Sequence, residues 1–274
     1  MPAVSAAARA EFDRAVETLR AAGVTVHVIE DTATPEKPDA VFPNNWMSTH
    51  HSGRVALYPM YSPARRLERR MDVVDELRKF YRITDVTDYS SCERDGRCLE
   101  GTGSLVLDHV KKIAYASISH RTHPEVLKQF CHDHGYEPVT FRSVSEDGRP
   151  IYHTNVMMCV GSEFALVGLQ TIPDEAERTG VQNLLEANGQ DVIELSPAQI
   201  GEFAGNAIEL HNNDGKLLVL SARAAAALKD RQREKIERYA RLLPLSLPTI
   251  ELAGGSARCM IATIHLPDLS GRLK

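Results

Sequence analysis

Residues 151–195, IYHTNVMMCVGSEFALVGLQTIPDEAERTGVQNLLEANGQDVIEL, hold one complete supersecondary unit. Ile151 to Val160 and Phe164 to Leu169 predict two strands, and Asp174 to Asn188 predicts a helix stopped by Gly189. Asp191 to Leu195 closes the unit as a third strand. The same order recurs on both sides. Upstream, Cys98 to Leu107 and Lys112 to Ser117 predict strands, Pro124 to His134 a helix ended by Gly135, and Glu137 to Phe141 a strand. Downstream, Asn206 to Leu210 and Leu217 to Ser221 flank a turn at Asn213-Asp214-Gly215, and a long helix is expected over Ala225 to Leu242. Nearer the start, a strand at Val55 to Tyr58 precedes a helix from Ser62 to Tyr81, and a helix capped by Ser5 and ended by Gly23 leads into a strand at Val24 to Ile29.

Equivalent points of the copies fall at Asn45, Glu100, His153, Asn206 and Cys259, separated by 55, 53, 53 and 53 residues. A period near 50 residues with one unit per copy marks a stacked or closed repeat array, in which equivalent positions face a common axis. Residues far apart in the sequence therefore converge on one place, and they are Asn, Glu, His, Asn and Cys. No Pro/Gly-rich linker divides the series, so residues 1–274 are read as one α/β domain.

The composition is 43% hydrophobic and 25% charged, with a net charge of -5 and a pI of about 6.1. Such a chain has no basic surplus to neutralise a phosphate backbone or hold an anionic bilayer, so neither nucleic acid nor membrane is expected as a partner. No apolar run has the length of a span or the pattern of a leader, and the cytoplasm is the expected location. Five cysteines with no CxxC pair read as reduced thiols. Cys131, His132 and His134 at one helix end lie too close in sequence to face one ion, so they read as a solvated helix end and no metal site is expected. No glycine-rich phosphate loop indicates a cofactor. Arg65, Arg66, Arg69 and Arg70 on the second helix read as a solvated face, open to a contact between subunits of a homo-oligomer.

Cys259 follows Gly254-Gly255-Ser256-Ala257-Arg258, a turn that lets backbone approach a ligand, and it shares its register with Glu100 and His153. A thiolate is a strong nucleophile, and an imidazole can protonate a leaving amine and later activate water. The resonance-deactivated carbon of a guanidine or urea requires both. Taken singly, each residue has a plainer reading: Cys259 as core filler, His153 as a hydrogen-bonded core histidine, Glu100 as an exposed acid before a turn, Asn206 as a turn residue after Gly205. The shared register favours a catalytic trio.

FPNNW (42–46), LEGTGSLVLD (99–108), YHTNVMM (152–158) and GGSARCM (254–260) resemble the guanidino-group-modifying enzymes. That superfamily includes arginine deiminase, dimethylarginine dimethylaminohydrolase and amidinotransferases, and the nearest resemblance is to citrulline-utilisation hydrolases. The resemblance spans nearly the whole chain and implies a five-bladed α/β propeller of ββαβ repeats. Its N-terminal blade would be incomplete, because the chain opens on a helix where relatives have a strand and a loop first. By the same resemblance Cys259 is the nucleophile that forms a covalent adduct, His153 the general acid and base, and Glu100 its partner in holding substrate nitrogens. Asn44, Asn45, Asn155 and Asn206 would bind a small ureido or guanidino substrate. Asn45 and Asn155 stand where deiminases carry aspartates, and Gly103 where the family has a further acid. A guanidinium offers only donors and charge, which suits carboxylates, whereas a ureido group presents a carbonyl oxygen that an asparagine N–H can meet. The expected activity is cofactor-free hydrolysis of citrulline to ornithine, ammonia and carbon dioxide. The alternatives are arginine deimination, amidino transfer, or a non-catalytic binding role such as that of a ribosome anti-association factor of the same architecture.

Overall fold

In the computed structural model, which describes residues 2–270, the repeat takes the form of four three-stranded sheets built on one plan. Helix α1 (Pro2–Ala21) comes first. The first sheet contains β1 (Met47–Thr49), β2 (Arg54–Leu57) and, after short helices α2 (Pro63–Arg66) and α3 (Met71–Leu77), β3 (Asp85–Asp88). The second begins with a helical turn, α4 (Gly101–Ser104), followed by β4 (Val106–Asp108), β5 (Ile113–Ser117), α5 (Pro124–His134) and β6 (Glu137–Phe141). The third contains β7 (Met158–Val160), β8 (Phe164–Val167), α6 (Glu175–Ala187) and β9 (Asp191–Glu194). In the fourth, α7 (Pro197–Gly201) precedes β10 (Ile208–Asn212), β11 (Gly215–Ser221), α8 (Ala222–Ala227), α9 (Asp230–Glu237) and β12 (Arg241–Leu245).

In every sheet the middle strand pairs antiparallel with the first and parallel with the third. A tight turn can join the antiparallel pair, but the parallel pair needs a crossover, which the helices provide. The middle strands β5 and β8 are buried along their whole length, as expected of continuous apolar runs covered on both faces. Local signals set the helix ends: the Asp174 side chain accepts from the Glu177 N–H to start α6, and Gly135 at φ 71° ends α5.

The units follow one another in space. Helix α4 rests on β1, β4 lies beside β7, and β7 beside β10. Helix α1 packs Ala15 and Leu19 into the same core as Leu217, Val219 and Leu243 of the fourth sheet. Segment 259–266 returns to the first sheet, where Thr49 Oγ1 donates to the Thr263 carbonyl (3.1 Å) and accepts from the His265 N–H (2.7 Å).

Several expected elements take another form. Val24 to Ile29 joins no ladder, because the described residues place no middle strand beside it. The helix expected over 62–81 is two short helices, with Arg70 extended (ψ 112°) between them. The one expected over 225–242 breaks at Leu228 and Lys229 (ψ 135° and 152°), and its tail is β12, whose Leu242 pairs with Leu218. Neither 98–107 nor 151–160 is a single strand, since a helical turn at Gly101–Ser104 and another at Thr154–Val156 precede the pairing residues. No helix among the described residues is long and apolar enough to cross a membrane.

Gly101 makes the first of these turns possible. Its φ is +44°, and a methyl group there would sit 2.8 Å from the Asn45 carbonyl oxygen and nearer still to that of Asn44. Gly101→Ala combines left-handed strain with overlap, and a loss of about 3 kcal/mol is expected in urea unfolding. A loss below about 0.5 kcal/mol would show that this contact is not constraining.

Candidate active site

The repeat positions Asn45, Glu100, His153 and Asn206 lie at turns that lead into the first strands β1, β4, β7 and β10. All seven predicted site residues are buried, His153 being the most exposed at 6%. Glu100 is held from three directions. Its Oε2 accepts from His153 Nε2 (2.6 Å) and Arg121 Nη1 (3.1 Å), and its Oε1 accepts from the Tyr61 N–H (2.9 Å). Burial pushes its pKa up, but these donors outweigh burial and hold it at about 2, so the carboxylate is ionised.

Burial pushes His153 below the ordinary imidazole value, while Glu100 pulls it the other way. The hydrogen bond to an ionised carboxylate assigns a proton to Nε2, and in the neutral ring Nδ1 is then an acceptor. A methyl group on Gly103 would lie 3.1 Å from that Nδ1 and 2.5 Å from Asn45 Oδ1. The bare Cα of Gly103 therefore lets a proton acceptor and an amide oxygen approach the backbone closely.

Cys259 lies against two amides. Asn206 Nδ2 donates to its Sγ at 3.2 Å and Asn155 Nδ2 at 3.6 Å. Asn206 is itself fixed, donating to the Asn155 carbonyl (3.0 Å) and accepting from the Arg258 N–H (3.1 Å). These N–H groups suit the negative charge that a nucleophilic sulfur carries. The side-chain oxygens of Asn44, Asn45 and Asn155, and Asn44 Nδ2, are buried with no partner in the protein. Each such atom costs about 1–3 kcal/mol, and their gathering in three of the seven residues marks a polar surface suited to a ligand.

Several contributors escaped the sequence reading. Arg121 lies between the rings of Tyr61 (5.4 Å) and Tyr152 (4.5 Å), yet its context, Ser-His-Arg-Thr, looks like any exposed loop. Ser104 Oγ accepts from the Glu100 N–H (3.0 Å) and donates to the Arg121 carbonyl (2.7 Å), while Thr154 Oγ1 donates to the Ser104 carbonyl (2.6 Å). Both lie inside the motif stretches, which was the available signal. Phe203, at φ 61°, shapes the turn into Asn206, whose N–H it accepts at 2.9 Å.

The arginine run is not a solvated face. Arg65 is buried, grips Glu68 with two hydrogen bonds of 2.8 Å and donates to the Phe42 carbonyl (3.1 Å), which steadies the turn carrying Asn44 and Asn45. Arg66 and Arg69 pair with Glu93, and Arg70 with Asp72. The end of α5 is not simply solvated either, because Cys131 is buried in the core and His134 packs 4.2 Å from the His50 ring. A surface cleft lined by Arg66, Asp88, Ser90, Ser91, Glu93 and Arg94 shares none of the seven site residues.

A family model described as N,N dimethylarginine dimethylhydrolase, eukaryotic, matches residues 2–266. The chain belongs to this family. It therefore lies in the guanidino-group-modifying superfamily. No curated protein matches it. Among solved structures it is similar to ArgZ, an arginine dihydrolase from the ornithine-ammonia cycle in cyanobacteria, with a TM-score of 0.72 and 17% identity over 92% of this chain and 37% of that one. The N-terminal domain of ArgZ covalently bound to a reaction intermediate gives a TM-score of 0.73 and 18% identity, covering 95% of this chain and 88% of that one. A dimethylarginine dimethylaminohydrolase adduct with 4-chloro-2-hydroxymethylpyridine gives 0.65 and 16%, covering 93% and 90%. The chain thus spans little more than a third of full-length ArgZ. These likenesses show a common mixed α/β fold of small sheets.

The depressed Glu100 pKa has a consequence for stability. A carboxylate whose folded value lies below its unfolded value of 4.5 stabilises the fold above that pH, and the contribution is lost as pH falls toward about 2. Between pH 5 and 2, Glu100→Gln should flatten the unfolding free energy against pH by about 3 kcal/mol relative to the parent. Parallel curves would show that Glu100 is not ionised as described.

Proposed function

We propose that this protein is a cysteine-dependent hydrolase of a carbon–nitrogen bond in a ureido or guanidino group, with citrulline as substrate and ornithine, ammonia and carbon dioxide as products. The observation that carries this reading is the charge balance around Cys259. Glu100 is already matched by Arg121, and the groups donating to the sulfur are the amides of Asn155 and Asn206. Arg258, half-buried, brings a positive charge beside Cys259. A guanidinium would lack an unmatched carboxylate there, whereas a neutral ureido group finds both donors and acceptors.

The thiol of Cys259 gives its proton to Nδ1 of His153 as Sγ attacks the ureido carbon, and the same proton passes to the leaving nitrogen as that bond breaks and ammonia departs. The resulting S-carbamoyl adduct is attacked by water that His153 deprotonates at Nδ1, which frees the thiolate and leaves the N-carbamate of ornithine. The carbamate then loses carbon dioxide. Ionised Glu100 orients the imidazole and stabilises it while it holds the proton. The architecture we infer is the five-unit propeller, with α1, residues 24–29 and residues 259–266 forming a fifth unit that has no middle strand. A second reading, favoured by the likeness to ArgZ, takes arginine through two successive hydrolyses at the same cysteine.

Purified protein incubated separately with citrulline, arginine and N,N-dimethylarginine should release ornithine and ammonia from citrulline, and Cys259→Ala should abolish turnover. Ornithine from arginine by way of citrulline would support the second reading instead. Turnover that survives in Cys259→Ala would remove the cysteine mechanism altogether.

Restoring carboxylates should reverse the preference. Asn45→Asp together with Asn155→Asp is expected to raise the ratio of kcat/KM for arginine over citrulline at least about tenfold, the scale of one well-placed charge. An unchanged ratio would separate substrate choice from these two amides.

A further inference from the structure

A second cluster of reactive side chains lies away from Cys259. His51 is on the turn after β1, His109 on the turn after β4, and His265 on segment 259–266, and each offers a ring nitrogen within 4.8 Å of the other two. His51 is six residues past Asn45 and His265 six past Cys259, so both lie toward the far ends of chains that start at the site. Cys259 is not among the groups whose donor atoms gather within that distance.

We propose that His51, His109 and His265 form a binding site for a divalent transition metal of the zinc class, distinct from the catalytic cysteine. The His109 and His265 rings are stacked with centroids 3.7 Å apart, and the hydrogen bonds each already makes leave one nitrogen on each ring. His109 Nδ1 is bonded to the Tyr136 hydroxyl (2.9 Å) and His265 Nε2 to Thr263 Oγ1 (3.1 Å), which leaves Nε2 of the first and Nδ1 of the second for an ion. Outer hydrogen bonds of this kind fix ring orientation in histidine metal sites. His51 Nδ1 is buried with no protein partner.

Lys112 adds positive charge at this end, its ammonium 4.8 Å from the Tyr136 ring. Three imidazoles with no carboxylate are poor ligands for calcium or magnesium and good ones for zinc, with water in the fourth place. Tetrahedral zinc at about 2.0–2.1 Å needs the nitrogens about 3.3 Å apart, so binding would turn the stacked His109 and His265 rings out of their present arrangement. The ion would join the first unit, the second unit and segment 259–266, which among the described residues is paired in no named sheet. We infer that it acts as a clasp at this seam.

The test uses the tag-free full chain with Cys259→Ala, so that the thiol cannot bind the ion, stripped of metal and titrated with zinc chloride by calorimetry. One zinc per chain is expected. Adding His51→Ala or His265→Ala should weaken binding at least about tenfold, since loss of an outer partner alone costs that much. Cobalt(II) in the same Cys259→Ala chain should give the visible bands of a nitrogen-ligated tetrahedral ion without a thiolate charge-transfer band. His51, on a partly exposed turn, is the variant least able to disturb folding, and circular dichroism melting without metal checks this. No saturable zinc binding, or equal affinity with His51→Ala, would overturn the proposal.

Discussion

A fully buried carboxylate is tolerable only where donors surround it, and Glu100 is surrounded by donors from three parts of the chain. The Tyr61 N–H comes from the loop after β2, Arg121 from the loop after β5 and His153 from the third unit. None is near Glu100 in sequence. Burial of this charge is therefore tolerated only once three units have docked, so the carboxylate's surroundings and the fold are completed together. The same constraint orients His153, because the carboxylate beside Nε2 holds a proton there and leaves Nδ1 as the acceptor of the neutral ring.

The short helix after Glu100 ties these units together. Thr102 Oγ1 donates to the Asn44 carbonyl (3.2 Å) on one side, and the Ser104 carbonyl accepts from Thr154 on the other. Gly101 and Gly103 leave room for the first unit's turn to pass this close. At Gly103 the absence of a side chain lets Asn45 Oδ1 and His153 Nδ1 pack against the backbone.

The fourth unit and the return segment supply the other half. Asn206 bonds both Asn155 and Arg258, so one amide joins the third unit, the fourth unit and the segment that carries Cys259. Unpartnered amide oxygens at Asn44, Asn45 and Asn155 are a stability cost that a folded core would not retain without a use for them.

The sequence by itself determined the repeat, its register and the convergence of Glu100, His153 and Cys259 on one region, because apolar periodicity and regular spacing are local properties repeated along the chain. It also determined the exact limits of α5 and β6, where Pro124, Gly135 and an apolar run mark the ends without tertiary help. Only the tertiary structure decided which nitrogen of His153 faces Glu100, that Arg121 completes the carboxylate's shell, and that Arg65 is a buried clamp rather than a surface charge. Those outcomes depend on partners at sequence separations of 53, 21 and 23 residues, and local pattern carries no information about contacts made across units. The residues at 24–29 show the same limit from the other side: their sequence is that of a strand, but a strand needs a neighbour to bond to, and the described structure provides none.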